Sequence, residues 1–291
     1  MISSDNFQLR KTRTPGEVFS DSLTFYRSNF KNLMVPVLIV LLPITLVSVG
    51  FSIRQINHMT EILQTGAKPG FSGTQGISSL ISLLYLIATY AIIFAYIKSW
   101  QQDENGQPQT ATVLREFGRN YLKLVLFSIP IFVLVVLAMF LIVIPGIWLA
   151  VVLTFVFPIC VFEGLGFGDS YSKAFRLVKN SWWQSFAALL IPTLAILAVS
   201  LTFQLVNMLI SGTLSMNGLI TSAAKPSSLI LGTALSLLLQ PLFPIAISLQ
   251  YFNLSEEKEG SSLELLVDGL GTAYTAEKSV YTASPKNDES F

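Results

Sequence analysis

LVLFSIPIFVLVVLAMFLIVIPGIWLAVVLTFVFPICVF, residues 124–162, runs for 39 residues without an Asp, Glu, Lys, Arg or His. As one helix, at about 1.5 Å per residue, it would be almost twice as long as the ~30 Å hydrocarbon core of a bilayer is thick. Ile144-Pro145-Gly146-Ile147 interrupts it, and Pro-Gly is a turn signal. The stretch therefore predicts a tight hairpin of two membrane-spanning helices, 124–144 and 147–162. The second is short. Gly164, Gly166 and Gly168 follow it, which predicts a ragged end.

Four more runs have the same character: 33–53, 77–97, 187–210 and 229–252. Every formal charge of the 291-residue chain lies outside the six runs, and only 12% of its residues are charged. A soluble domain carries about 25%, so half that density cannot cover a water-facing surface. The fold class read from this pattern is all-α: a polytopic membrane bundle of six transmembrane helices in three hairpins. The first run starts too late, and is too long, for a signal-peptide core of about 7–15 residues. It is expected to stay as an anchor.

The rare residues narrow the chemistry. Cys160 is the one cysteine and His58 the one histidine. A Ser–His–Asp hydrolase needs its histidine beside a nucleophile and a carboxylate, and His58 falls in a polar loop. No phosphate-loop or HExxH motif is present, and a metal cluster of Cys and His fails on counting alone. No cofactor, metal site or catalytic residue is expected, nor is nucleic acid a partner.

Orientation follows from loop charge. Segments 1–32, 98–123, 163–186 and 253–291 hold 15 of the 18 Lys and Arg. The alternate loops hold only Arg54, Lys68 and Lys225. Positive loops stay inside, so both termini are expected in the cytoplasm.

Each hairpin is preceded by a stretch with an apolar face. The first, Pro15–Asn32, opens on Thr14, Pro15 and Glu17, the N-cap, N1 and N3 of a strong helix start. The second is Thr110–Leu122. The third is Asp169–Phe186, with Tyr171, Phe175, Val178 and Trp182 on one side and Lys173, Arg176 and Lys179 on others. The three share aromatic and basic endings: Arg27…Asn29-Phe30-Lys31, Arg119-Asn120-Tyr121…Lys123, and Lys179-Asn180…Trp182-Trp183. They are read as three cytoplasmic amphipathic helices in the headgroup plane, where anionic phospholipid attracts cations. Trp182 and Trp183 are read as interface anchors. The domain plan is an N-terminal tail (1–13), the six-helix domain (14–252), an acidic cytoplasmic amphipathic segment (253–270) and a disordered tail (271–291).

Pro145-Gly146-Ile147-Trp148, Phe157-Pro158, Glu163, Ser172, Phe175-Arg176, Lys179 and Trp182-Trp183, with the ending Tyr251-Phe252-Asn253-Leu254, carry a resemblance. Over roughly 14–270 the chain resembles six-helix bacterial integral membrane proteins related to the membrane domain attached to some glycerophosphodiester phosphodiesterases, in their Bacteroidetes-type form. The resemblance implies a multi-pass protein of the bacterial cytoplasmic (inner) membrane. It does not imply phosphodiesterase activity, because the soluble domain that performs it is not in this sequence.

Two sets of residues stand out as candidate sites. Glu163 ends the fourth run and precedes the third basic helix. It is expected at or just inside the cytoplasmic interface, paired with Arg176 or Lys179 or contacting a headgroup together with Trp182 and Trp183. Inside the membrane, Ser200, Gln204 and Asn207 form a polar stripe on the fifth span. Thr233, Ser236 and Gln240 form one on the sixth, and Ser78, Ser82, Tyr85 and Thr89 one on the second. The plain reading of the stripes is interhelical hydrogen bonding; the alternative is a polar cavity. Nothing ionisable lies in the six runs, which argues against an ion-coupled pump. The favoured function is a non-enzymatic, lipid-interacting scaffold or accessory factor of membrane or envelope homeostasis. Its partners would be membrane phospholipids, with a membrane protein or a second copy of the chain. A permease for a small or lipid-like substrate is the alternative, favoured by a water-lined cavity between the fifth and sixth spans. A headgroup enzyme using Glu163 and Asp169 is the weaker one.

Overall fold

The computed structural model describes residues 7–65, 73–103, 105–141, 143–211 and 226–260. Its elements are α1 (Pro15–Ser28), α2 (Phe30–Thr65), α3 (Gly73–Gln102), α4 (Thr110–Leu141), α5 (Val143–Thr154), α6 (Val156–Glu163), α7 (Phe167–Val178), α8 (Trp182–Ser211), α9 (Pro226–Leu239) and α10 (Leu242–Glu259). No strand occurs among the described residues. Six stretches are long and apolar enough to cross a membrane: Phe30–Gln55, Gln75–Gln102, Thr110–Phe140, Val143–Glu163, Trp182–Ile210 and Ser228–Glu259. The chain is an all-α, multi-pass membrane protein of six spans. Residues 1–6 of the N-terminal tail, 261–270 of the acidic segment and the tail 271–291 lie outside the described residues.

The hairpin at the centre of the sequence forms as its Pro-Gly requires. α5 starts at Val143 with Pro145 in its first turn, where a missing N–H costs nothing. At Gly146 a Cβ would fall 2.8 Å from Met139 Cα on α4, so only glycine permits this approach of the two backbones. The fourth span is longer than expected: counted from Val143 to Glu163 it has 21 residues, about 31 Å at 1.5 Å per residue. The helix is interrupted at Phe155, between α5 and α6. Pro158 follows, and its ring and missing N–H break the helical bond to Thr154. Its end is defined rather than ragged. Gly164 takes the left-handed conformation (φ 73°) and its N–H bonds the Cys160 carbonyl. Lys123 Nζ from α4 donates to the Leu165 carbonyl at 2.8 Å and to that of Gly164 at 3.3 Å.

The three stretches with aromatic and basic endings behave differently. α1 stops at Ser28 and α2 starts at Phe30. α7 stops at Val178, and Asn180 (φ 68°) turns the chain into α8; asparagine tolerates that region better than most residues. The second stretch has no break: α4 runs through Asn120, whose amide donates to the Glu116 carbonyl. The third helix therefore ends before Trp182 and Trp183, which begin the fifth span instead.

The densest packing lies at the end of the bundle where α1, α6 and α7 surround α3 and α10. Tyr96, Phe25, Phe94, Phe155 and Phe252 are the largest fully buried side chains. Phe25 meets Trp100 edge-on at 5.5 Å, and Phe162 stacks on Phe252 at 5.0 Å. α4 by contrast exposes Leu126, Ile129, Phe132, Val133, Leu137 and Phe140, the surface a span turns to lipid. α10 does not stop at the membrane boundary expected near Phe252; it continues to Glu259.

Candidate functional site

Two polar sites emerge, one at the densely packed end and one within the spans. The first is a charged junction of α6, α7 and α10. Glu163 Oε1 lies 2.9 Å from Lys173 Nζ and accepts a hydrogen bond from the Tyr251 hydroxyl. Lys173 also pairs with Glu259 at 2.9 Å, and Arg176 reaches Glu259 at 3.7 Å. Burial opposes the charge on Lys173, but its hydrogen bonds to Glu259 and Glu163 outweigh that, so its ammonium is held above the ordinary lysine value.

The expected pairing of Glu163 with Arg176 or Lys179 is thus corrected. The loop after Gly164 does fold α7 back on α6, as that pairing required. α7 presents Lys173, not its last turn, to the carboxylate, because Lys173 shares the inward face with Ala174 and Leu177. The Arg176 side chain is exposed, and Lys179 offers its carbonyl to Lys258 rather than its ammonium to Glu163. Asp169 takes no part in the junction's ion pairs. Trp182 stacks on Phe186 and donates from Nε1 to the Trp148 carbonyl at 3.2 Å, while Trp183 is 76% exposed.

Beside the junction lies a network that sequence reasoning missed. Arg13 is 3% exposed. Its Nε donates to Asp21 at 2.8 Å, and its guanidinium also binds the carbonyls of Leu9 and Gln8. Asn253 holds the Arg13 backbone from both sides: its Oδ1 accepts from the Arg13 N–H at 2.7 Å and its Nδ2 donates to the Arg13 carbonyl at 3.1 Å. Gln184 donates to that carbonyl too. The segment before α1 is thereby strapped across α8 and α10. Asn253 opens the expected acidic segment, and nothing in the local sequence signals a partner 240 residues away.

The second site is a cleft of about 420 Å³ between the fifth and sixth spans, backed by α2 and α3. Ser200 and Gln204 of α8, Thr233 and Ser236 of α9, and Gln240 line it, with Thr45 and Tyr85 behind. Six of the ten stripe residues singled out in the sequence therefore converge: Tyr85, Ser200, Gln204, Thr233, Ser236 and Gln240. Asn207 does not line the cleft; it accepts the Ser228 hydroxyl at 2.8 Å, tying α8 to α9. Most hydroxyls of the spans do not bond between helices. Ser52, Ser200 and Thr202 each donate to the carbonyl four residues back. Gln240 crosses to the Thr89 hydroxyl at 3.4 Å. Thr233 and Ser236 differ: neither side chain has a hydrogen-bond partner among the described residues. Among the described residues, the lining holds no Asp, Glu, Lys, Arg or His, and no metal-ligating cluster occurs.

Comparison with protein-family models, curated proteins and solved structures finds no match to this chain. The fold and these two sites define its class, a six-span helical membrane protein with a polar intramembrane cleft.

Proposed function

We propose that the protein is a non-enzymatic membrane protein that takes a small uncharged solute, or the polar part of a lipid-like molecule, into the cleft between its fifth and sixth spans. A permease or lipid carrier is favoured over a passive scaffold. One observation carries this reading: Thr233 and Ser236, whose hydroxyls have no partner among the described residues, line a cleft whose other walls carry Gln204 and Gln240. Within hydrocarbon an unsatisfied hydroxyl is costly, so the lining calls for polar contents. Its volume falls in the range of about 300–1,000 Å³ typical of small-molecule sites. An uncharged ligand fits because the described lining offers no counter-charge. The proposal keeps the bacterial inner membrane, N-in and C-in, and the kinship with the phosphodiesterase-linked membrane domain, on the strength of the loop charges and the Pro145–Trp183 motifs.

The test is the content of the cleft. Full-length protein, purified in mild detergent from its membrane, is extracted and its retained small molecules are identified by mass spectrometry. Thr233→Val with Ser236→Ala removes two hydroxyls at little change of shape. At about 1 kcal/mol per hydrogen bond, affinity for a cleft ligand should fall by about thirtyfold for the two together. Equal retention by the variant and the parent would leave the scaffold as the better account.

A further inference from the structure

A third site lies at the junction of α1 and α2. A groove of about 730 Å³ is lined by Tyr26, Arg27, Phe30, Lys31 and Asn32, with Leu23 at its edge. Arg27 and Lys31 are both exposed. Neither has an ion pair or hydrogen bond from its side chain among the described residues. Among the described residues, the groove's lining holds no carboxylate. Several other cations at this end of the bundle are paired: Arg13 with Asp21, Lys98 with Glu116, and Lys173 with Glu163 and Glu259. The aromatic wall is preorganised. Tyr26 and Phe30 meet edge-on at 5.4 Å, and the Tyr26 hydroxyl is anchored to the Leu238 carbonyl at 2.8 Å.

What continues from the groove identifies its occupant. Lys31 shares a helical face with Val35, Leu38, Leu42 and Leu46, all of them exposed. From Val35 to Leu46 that apolar stripe is about 16 Å long at 1.5 Å per residue. This is about half of a ~30 Å hydrocarbon core, the depth of one leaflet. A pair of cations at the head of a leaflet-deep apolar stripe matches a phosphate that carries acyl chains. A soluble phosphate would have no use for the stripe. Zwitterionic lipid brings its own ammonium, which the two cations would repel.

We propose that the α1–α2 groove is a binding site for an anionic phospholipid, its phosphate held between Arg27 and Lys31 and one acyl chain laid along Val35–Leu46. It also replaces the basic face of α7 as the main anionic-lipid contact, since Lys173 is turned inward to two carboxylates.

The full-length protein in detergent is titrated with phosphatidylglycerol or phosphatidylethanolamine, and bound lipid is counted by native mass spectrometry. Phosphatidylglycerol is expected to bind more tightly, and inorganic phosphate at millimolar concentration should leave it bound. Arg27→Gln with Lys31→Gln should weaken phosphatidylglycerol by about thirtyfold, about five- to sixfold for each cation. Arg115→Gln, which removes an exposed, unpaired cation on α4, should change it less than twofold. Arg27→Lys should retain most of the affinity, and it guards against misreading a folding defect. Equal affinity for the two lipids in the parent protein would overturn the proposal whatever the variants do. So would displacement by inorganic phosphate, or a loss in Arg115→Gln as large as in the double variant.

Discussion

At Lys173 one ammonium stands between two carboxylates, and that asymmetry sets what each substitution costs. Removing Glu163 leaves Lys173 with Glu259, and removing Lys173 leaves Glu163 and Glu259 without their shared cation. Glu163→Gln should therefore be mild, since the amide oxygen still accepts from Tyr251. Glu163→Leu strands that hydroxyl, at about 1–3 kcal/mol. Lys173→Met should cost most. The partial exposure of both carboxylates keeps it below the 3–5 kcal/mol of a fully buried broken pair, at about 2–3 kcal/mol. The pH dependence has a definite sign. The folded state raises the Lys173 pKa above its ordinary 10.5, so the stabilisation is complete below about pH 10.5 and lost as the pH rises through the higher folded value. Thermal unfolding in detergent should show a constant gap between parent and Lys173→Met from pH 7 to 9, narrowing above about 10.5. A gap that opens with rising pH would contradict the assignment. The sequence pointed at Glu163 but not at its partner. Which turn of α7 faces the carboxylate depends on how the Gly164–Gly166 loop aims the helix, and spacing along the chain does not encode that angle.

Two glycines on α4 and α5 separate what an element needs from what its neighbour imposes. Gly118 lies in the interior of α4 with nothing within 4 Å of a Cβ, whereas at Gly146 a Cβ would meet the Met139 backbone. Gly118→Ala should stabilise by about 0.5–1 kcal/mol through helix propensity alone. Gly146→Ala should destabilise by about 1–3 kcal/mol despite the same gain, because packed backbone cannot move aside. Melting temperatures of the two variants, measured side by side, should shift in opposite directions; a shift in the same direction would remove the close α4–α5 approach. Helix existence at this scale was legible in the runs without charge. Helix ends were not: α10 passes Phe252 and continues to Glu259 because Asn253, Ser255 and Glu259 find protein partners there. The same chemistry in a free tail would have none. The three related endings illustrate the point from the other side. Asn29, Asn120 and Asn180 sit in similar sequence, and only the first and last mark breaks.

For the whole molecule the untested quantity is orientation. Loop charge argues that the α3–α4 connection is cytoplasmic and the α2–α3 connection is not. Cysteines introduced singly at Thr65 and Gln107, both exposed, separate the alternatives, and native Cys160 is buried and silent. In intact cells an impermeant thiol reagent should label position 65 and spare position 107. The reverse pattern would invert the protein and move the α1–α2 groove to the other leaflet.

Composition and the charge-free runs by themselves determined that this chain lives in a membrane, that it is helical and how many times it crosses. Those are properties of each segment's own transfer into hydrocarbon, which needs no knowledge of neighbours. The tertiary structure alone decided that Ser200, Gln204 and Gln240 share one cleft, that Thr233 and Ser236 line it without a hydrogen-bond partner among the described residues, and that Lys173 rather than Arg176 answers Glu163. It also decided that Arg13 is clasped by a residue 240 positions away. A helical stripe can be read from its period. The helix it will face is set by packing angles and loop geometry, summed over the whole bundle.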